Sequence, residues 1–397
     1  MTEGFWAYTV QGVTEECTQR AEEALDFIVS HGGITSRWRS VKITTDAFGP
    51  HHAVIDFLAS NPLPELRHLQ LMLEGPSMFD EFDEAALLDA AEFEPVPFFQ
   101  DPPAKLNAVK LAGVPNPFLF GHTNQFALPT LTRLDLAFAL ILPTIEEFAT
   151  LLKATNQLEV LRLDFSSIEL EEDVEYPDQH TPIDLPHLRE LALIQVSDSL
   201  WSTHLVMMLD APNVKYLQLD LVDFGEPGDE DDLVGYLVNG GNREAPRPPF
   251  PSITRLGVQL REFPRTVTKL LKTLLLAHPQ ITRLDVPFMP LDAVNASPRT
   301  VPKLNYLQVA GCTGAEVKRV IAARTRAKAP LKVIEFDIHY KDRIRPEEMS
   351  FILSKVEFRF WDSLNEGRVV SDDETEDEED EDFESDVSDD LSDASTE

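Results

Sequence analysis

Leu188-Arg189-Glu190-Leu191-Ala192-Leu193 places apolar residues at the first, fourth and sixth positions of a six-residue motif. The same apolar-x-x-apolar-x-apolar pattern begins at Leu66, Leu106, Leu131, Leu158, Val214, Ile253, Ile281, Leu304 and Leu331, with weaker copies at Trp38 and Leu353. Within each copy the fourth and sixth residues alternate with outward positions, so each reads as a short strand with one buried face. Most successive starts lie 22 to 30 residues apart, while 66 to 106 and 214 to 253 stretch to 40 and 39 and must carry insertions. No copy can bury its own apolar face, so the strands are expected to stack in parallel over about twelve turns.

Helical patterns lie between the copies. Thr266 to Ala277 sets Val267, Leu270, Leu271, Leu274 and Leu275 on one stripe, the spacing of an amphipathic helix. Thr144-x-x-Glu147 and Thr313-x-x-Glu316 read as capping boxes, opening helices with apolar faces at Ile145, Phe148, Leu151 and Leu152 and at Val317, Val320 and Ile321. Strand and helix alternating at this period predict an α/β leucine-rich-repeat solenoid, with parallel strands on the concave face and helices outside. A doubly wound α/β domain would use longer crossovers and would not repeat one six-residue motif ten times. Residues 1–364 are therefore read as the repeat domain. Its first 35 residues form a capping region with a helix over Thr14 to Val29, stopped at Gly32-Gly33. Segments 75–103 and 223–251, rich in Pro, Gly and acidic residues, are read as inserted loops. From 365 to 397 apolar content collapses and like charges dominate, which predicts a disordered acidic tail.

The formal net charge is −35, and residues 371–397 hold sixteen Asp or Glu and no Lys or Arg. A field of that sign repels phosphate backbones and anionic membranes, so neither nucleic acid nor membrane is expected as partner, and a protein partner is. Only Cys17 and Cys312 occur, which excludes a disulfide framework and fits a reducing compartment. Met1 to Val10 lacks the pattern of a secretory signal, and the apolar run Leu136 to Leu142 is too short to span a bilayer. A cytoplasmic or nuclear monomer is expected.

Motifs for catalysis are absent: there is no His-Glu-x-x-His, Walker A loop, Gly-x-Ser-x-Gly or dinucleotide fingerprint. His51-His52 is read as a surface pair, since helix neighbours point about 100° apart and would not chelate one ion. Asp229-Glu230-Asp231 is read as a solvated loop. No catalytic residue, metal ligand or cofactor is assigned, and the chain is expected not to be an enzyme.

The segments 24–31 (ALDFIVSH) and 36–43 (SRWRSVKI) resemble the region after the F-box in fungal F-box/leucine-rich-repeat proteins. Leu63-Pro64-Glu65-Leu66-Arg67-His68-Leu69 and Leu185-Pro186-His187-Leu188-Arg189-Glu190-Leu191 resemble that family's repeats, and the likeness covers roughly residues 20 to 360. In that family the F-box docks on a Skp-type adaptor of a cullin ubiquitin ligase and the repeats select the substrate. The resemblance thus implies a non-catalytic recognition scaffold with a ubiquitin-ligase substrate as partner. Only thirteen residues precede Thr14, too few for the F-box itself. Acidic-tailed leucine-rich-repeat families supply the alternatives, a Ran-type GTPase-activating regulator or a binder of histones and other basic proteins. The Ran-type repeats carry Asn after the strand, where this chain has Glu74, Ala139, Ser166 and Val196, and only Cys312 fits.

Two residues into the sixth to ninth clear copies stand Tyr216, Arg255, Arg283 and Tyr306. They are expected to form one outward ladder for a partner, the arginines gripping a carboxylate or phosphate and the tyrosines giving rigid apolar area. Pairing of the arginines with exposed neighbours such as Asp220 and Asp285 is the alternative. Ser371 and Thr375 each precede an acidic residue by three positions and are expected to accept phosphate from acidophilic kinases. Residues 318–345, with nine Lys or Arg against three Asp or Glu, are expected to attract the tail.

Overall fold

The computed structural model describes residues 3–73, 98–99, 101–120, 128–168, 176, 181–196, 199–221, 229–240, 247–260, 264–289, 291–296, 299–363 and 369–370. Its strands are β1 Ser40–Thr45, β2 His68–Leu73, β3 Ala108–Ala112, β4 Arg133–Ala137, β5 Val160–Asp164, β6 Ile183–Asp184, β7 Glu190–Val196, β8 Leu209–Asp210, β9 Tyr216–Leu221, β10 Arg255–Leu260, β11 Arg283–Pro287, β12 Tyr306–Ala310, β13 Val333–Asp337, β14 Glu357–Trp361 and β15 Val369–Val370. All but β6 and β8 form one 13-stranded sheet in chain order. Pairing is parallel from β1 through β14, and β15 adds antiparallel to β14. The ten clear motif copies become β2–β5, β7 and β9–β13.

Register repeats the motif. Leu161, Leu191, Leu217, Leu256, Leu284, Leu307 and Ile334 are successive partners across seven strands, each fully buried. Withdrawing each from water contributes roughly 1.5–3 kcal/mol, and only beside its neighbours. A turn that the six-residue pattern did not include precedes many strands. The backbone N–H of the first motif residue donates to the carbonyl three residues earlier, as in Leu66→Leu63, Leu131→Leu128 and Leu188→Leu185, at 3.0–3.1 Å. Pro64, Pro129 and Pro186 occupy the second position of these turns, where a φ fixed near −65° suits the turn. The turn's first residue adds another buried column: Leu63, Leu128, Leu185, Ala211 and Val301 are at most 2% exposed. Thr155 and His278 stand in the same column and are also buried. Thr155 donates its hydroxyl to the Leu151 and Leu152 carbonyls, whereas neither ring nitrogen of His278 has a partner.

The helices Ile145–Ala154 and Gly314–Arg326 open on the two capping boxes, with Thr144 and Thr313 each accepting from the N3 amide of Glu147 and Glu316. Pro264–Ala277 buries Leu270, Leu271, Leu274 and Leu275; the Val267 side chain lies outside the described set. Ser199–Met208 buries Trp201 between Phe138, Phe148 and Phe165, with ring centroids 5.4–5.7 Å away, and the indole N–H donates to Pro143 O at 2.9 Å. Arg324, fully buried, donates to the carbonyls of Val301 and Leu304, and burial lowers its pKa only to about 10, so it stays charged.

Several boundaries differ from the expectation. The first helix spans Glu3–Ser30, longer than Thr14 to Val29, and Trp6, Val10, Val13 and Cys17 carry helical apolar spacing back through its first turns. It does stop at the glycines: Gly32 has φ +97° and Gly33 N–H donates to Ile28 O. Phe48–Ser60 is a further helix, and it buries His51 completely. His51 is thus a core residue and not one of a surface pair. Within 223–251, Asp229–Asn239 is helical and buries Leu233, Val234 and Leu237, so Asp229-Glu230-Asp231 starts a helix instead of sitting in a loop. The other insertion lies almost wholly outside the described residues. The copy assigned to Leu353 is displaced by two residues: Ile334 pairs with Phe358, and Leu353 ends the helix Pro346–Leu353 with 58% exposure. Val369–Val370, inside the segment assigned to the tail, pairs with β14, while the rest of the tail, Ser371 and Thr375 included, lies outside the described residues.

Candidate functional site

The outward row forms across four neighbouring strands. Tyr216 on β9 is in register with Arg255 on β10, Arg255 with Arg283 on β11, and Arg283 with Tyr306 on β12. Each guanidinium lies over a ring, Arg255 at 4.0 Å from the Tyr216 centroid and Arg283 at 4.1 Å from that of Tyr306. Stacked cation–π geometry of this kind holds a long side chain flat on the sheet.

The row two residues further along explains what the arginines do. There Gln218, Gly257, Asp285, Gln308, Glu335 and Arg359 are successive partners. Asp285 receives Arg255 Nε at 2.7 Å on one oxygen and Arg283 Nε at 2.8 Å on the other. Arg283 Nη2 also reaches Gln308 at 2.7 Å and Glu335 at 3.5 Å. The arginines therefore do pair with Asp285, but that residue is buried and not exposed, as is Asp220. The expectation placed both carboxylates in solvent because strand alternation turns them outward; the arginine–tyrosine layer then covers Asp285. The fork of Arg283 is largely engaged within the protein, and Arg255, 39% exposed, is the more available of the two.

Burial opposes the charge on Arg255, and Asp285 with its neighbours more than offsets it, so the guanidinium is held above its ordinary pKa. Burial pushes Tyr216 and Tyr306 up to about 12, with a hydrogen bond to Glu335 adding to the shift at Tyr306. Both remain neutral phenols near pH 7.

Gly257 opens this surface. With hydrogen where its neighbours carry Gln218 and Asp285, it floors a recess of about 390 Å³, bounded by Tyr216, Arg255, Gln308, Phe288 and Trp361. Phe288 stands half exposed at the rim with φ +58°, the left-handed conformation that Gly113 and Gly311 adopt at the same place after β3 and β12. Gly257, Phe288 and Trp361 were not singled out in the sequence, and Asp285 was named only as an exposed partner of the arginines. A glycine at the fifth motif position, where every other clear copy but the one with Ala192 has a polar or charged side chain, was the available signal. Among the described residues no group of three His, Cys, Asp or Glu is placed to hold a metal ion, and no helix is long and apolar enough to cross a membrane.

Asp285→Asn keeps the shape and removes the charge that both guanidiniums share. The expected result is a loss of about 1–3 kcal/mol of stability, since one partner of a covered ion network is removed while the cations stay. Chemical denaturation of both proteins measures it; an unchanged midpoint would mean that water serves the arginines equally well.

No protein-family model matches the chain, and no curated protein sequence matches it.

Proposed function

We propose that the chain is a leucine-rich-repeat solenoid serving as a non-catalytic protein-recognition scaffold, comparable to the substrate-selecting part of a fungal F-box protein. Support for the repeat reading comes from the parallel strands in chain order, most of them preceded by the same turn and, among the described residues, most crossovers holding a helix. The recognition reading rests on one observation: an aromatic and arginine layer, preset by a buried carboxylate, rims a glycine-floored recess. Side chains already fixed before binding lose little conformational freedom when a partner arrives. The recess fits an extended segment with a small or aromatic side chain over Gly257 and a carboxylate or amide reaching Arg255.

The structure changes which variant tests this. Alanine at all four ladder positions would strip the cover from Asp285 and Glu335 and destabilise the fold. Gly257→Gln is cleaner, because glutamine already stands in the same row at 218 and 308. An added Cβ lies 3.2 Å from the Tyr216 hydroxyl, which must give by a few tenths of an ångström, and in ordinary contact at 3.5 Å with Tyr216 Cε2 and Gln218 Cγ. Melting should shift by less than about 4 °C, while proteins recovered with the wild type from native cells fall at least about tenfold, equivalent to about 1.4 kcal/mol. A Skp-type adaptor and cullin among the proteins recovered would support the ligase reading. Full recovery with Gly257→Gln would remove the recess from the binding surface.

A further inference from the structure

The opposite end of the same strand face holds a second recess, of about 610 Å³, over β1–β5, and its charge is of the other sign from the chain as a whole. Lys42, His68, Lys110, Arg133 and Arg162 line it against one carboxylate, Asp135. Arg133 pairs with Asp135 at 2.8 Å and Arg162 with Glu190 at 2.5 Å. Lys42 and Lys110 flank Gln70 in one row, and among the described residues neither forms an ion pair. Lys42 and Lys110 stand two strands apart, and Asp135, the register neighbour of Lys110, is already paired with Arg133, so the recess keeps a local positive field on a protein of net charge −35.

The same chain carries a complementary segment. Residues 371–397 contain sixteen carboxylates and no cation, and they follow directly on β15 at the far edge of the sheet. Twenty-seven residues reach at most roughly 90 Å when extended. At about 4.8 Å per strand, β3 and β1 stand about 48 and 58 Å along the sheet from β15. Segment 318–345 is nearer, but much of its charge is engaged. Arg324 is buried, Lys318 lies over Phe351, Arg343 donates to Gly311 O, and Arg345 faces Glu347.

We propose that the β1–β5 recess is the docking site of residues 371–397 of the same chain, with Lys42 and Lys110 as its cationic contacts. Covalent linkage gives the segment a high effective concentration there, and contact at the surface is screened by salt. A docked tail occupies the first third of the strand face, leaving the Gly257 recess to a partner, so the inference is independent of the function proposed above.

Zero-length carbodiimide cross-linking of the full chain tests it, using an equal mixture of light and isotopically heavy protein. The expected links join Lys42 and Lys110 to carboxylates of 371–397 within one isotopic form, and fall at least about fivefold between roughly 0.02 and 0.5 M salt. Lys42→Glu with Lys110→Glu should speed cleavage of the tail by a Glu-specific protease, whereas Lys328→Glu with Lys332→Glu should not. Links confined to lysines of 318–345, links only between light and heavy chains, absence of links, or the reverse protease pattern would overturn the proposal.

Discussion

Trp201→Ala is expected to lower the unfolding free energy by roughly 3–5 kcal/mol, the range for emptying an aromatic core site. The indole is 2% exposed and touches rings that come from the crossovers after β4 and β5 and from Ile145–Ala154. Its removal also leaves the Pro143 carbonyl without its donor. The rings tie consecutive units together, and in a row of units coupled mainly to neighbours, a weak link can let the two sides unfold separately. Guanidinium unfolding followed by circular dichroism should show an earlier, broader or two-step transition, while Trp201→Phe recovers part of the loss. A deficit under about 1 kcal/mol would mean that the surrounding rings collapse into the space.

Acid should destabilise the protein well before its carboxylates are protonated. Burial lowers His278 from 6.5 to about 4, and burial together with neighbouring His52 lowers His51 to about 3. Both are neutral in the folded chain, while the unfolded chain binds protons from pH 6.5 downward. The stability is therefore complete above pH 6.5 and is lost as pH falls toward the folded values, at about 1.4 kcal/mol per unit for each histidine. At pH 5 the share of His278 alone comes to roughly 2 kcal/mol. His278→Leu, the residue found at the same turn position at 63, 128 and 185, should remove that share. Urea unfolding at pH 7.5 and 5.0 should show a smaller difference for the variant than for the wild type. Equal differences would show that His278 becomes solvated when protonated.

Much of the fold was legible because one physical demand recurs. Each strand must show two apolar residues to the same interior, and positions four and six of the motif do so in all ten clear copies. What escaped reading lacked a period. The helix at Asp229–Asn239 begins with a charge run that masks the apolar Leu233, Val234 and Leu237 behind it. Leu353 fits the pattern in letters, but the hydrogen-bond register assigns the inner positions to Phe358 and Phe360. His51 and His278 look like surface residues by type and are buried by place. The ladder of Tyr216, Arg255, Arg283 and Tyr306 could be aligned from motif positions alone. That Asp285 joins the two arginines depends on a row two residues away, and side-chain rotamers across strands leave no trace in a single repeat.

Val369–Val370 also bears on how long the ladder can become. A parallel stack built from one unit offers an unfilled rung at its end, to which another molecule's first strand would be a fair match. Here Val369 and Val370 fill that rung opposite Trp361 and Phe360, running the other way, and Glu357 and Arg359 set paired charges on the remainder of β14. At the other end the helix Glu3–Ser30 packs against Phe48–Ser60 beside β1. Growth by end-to-end addition at β14 therefore meets a reversed strand and a charge pair instead of an open rung.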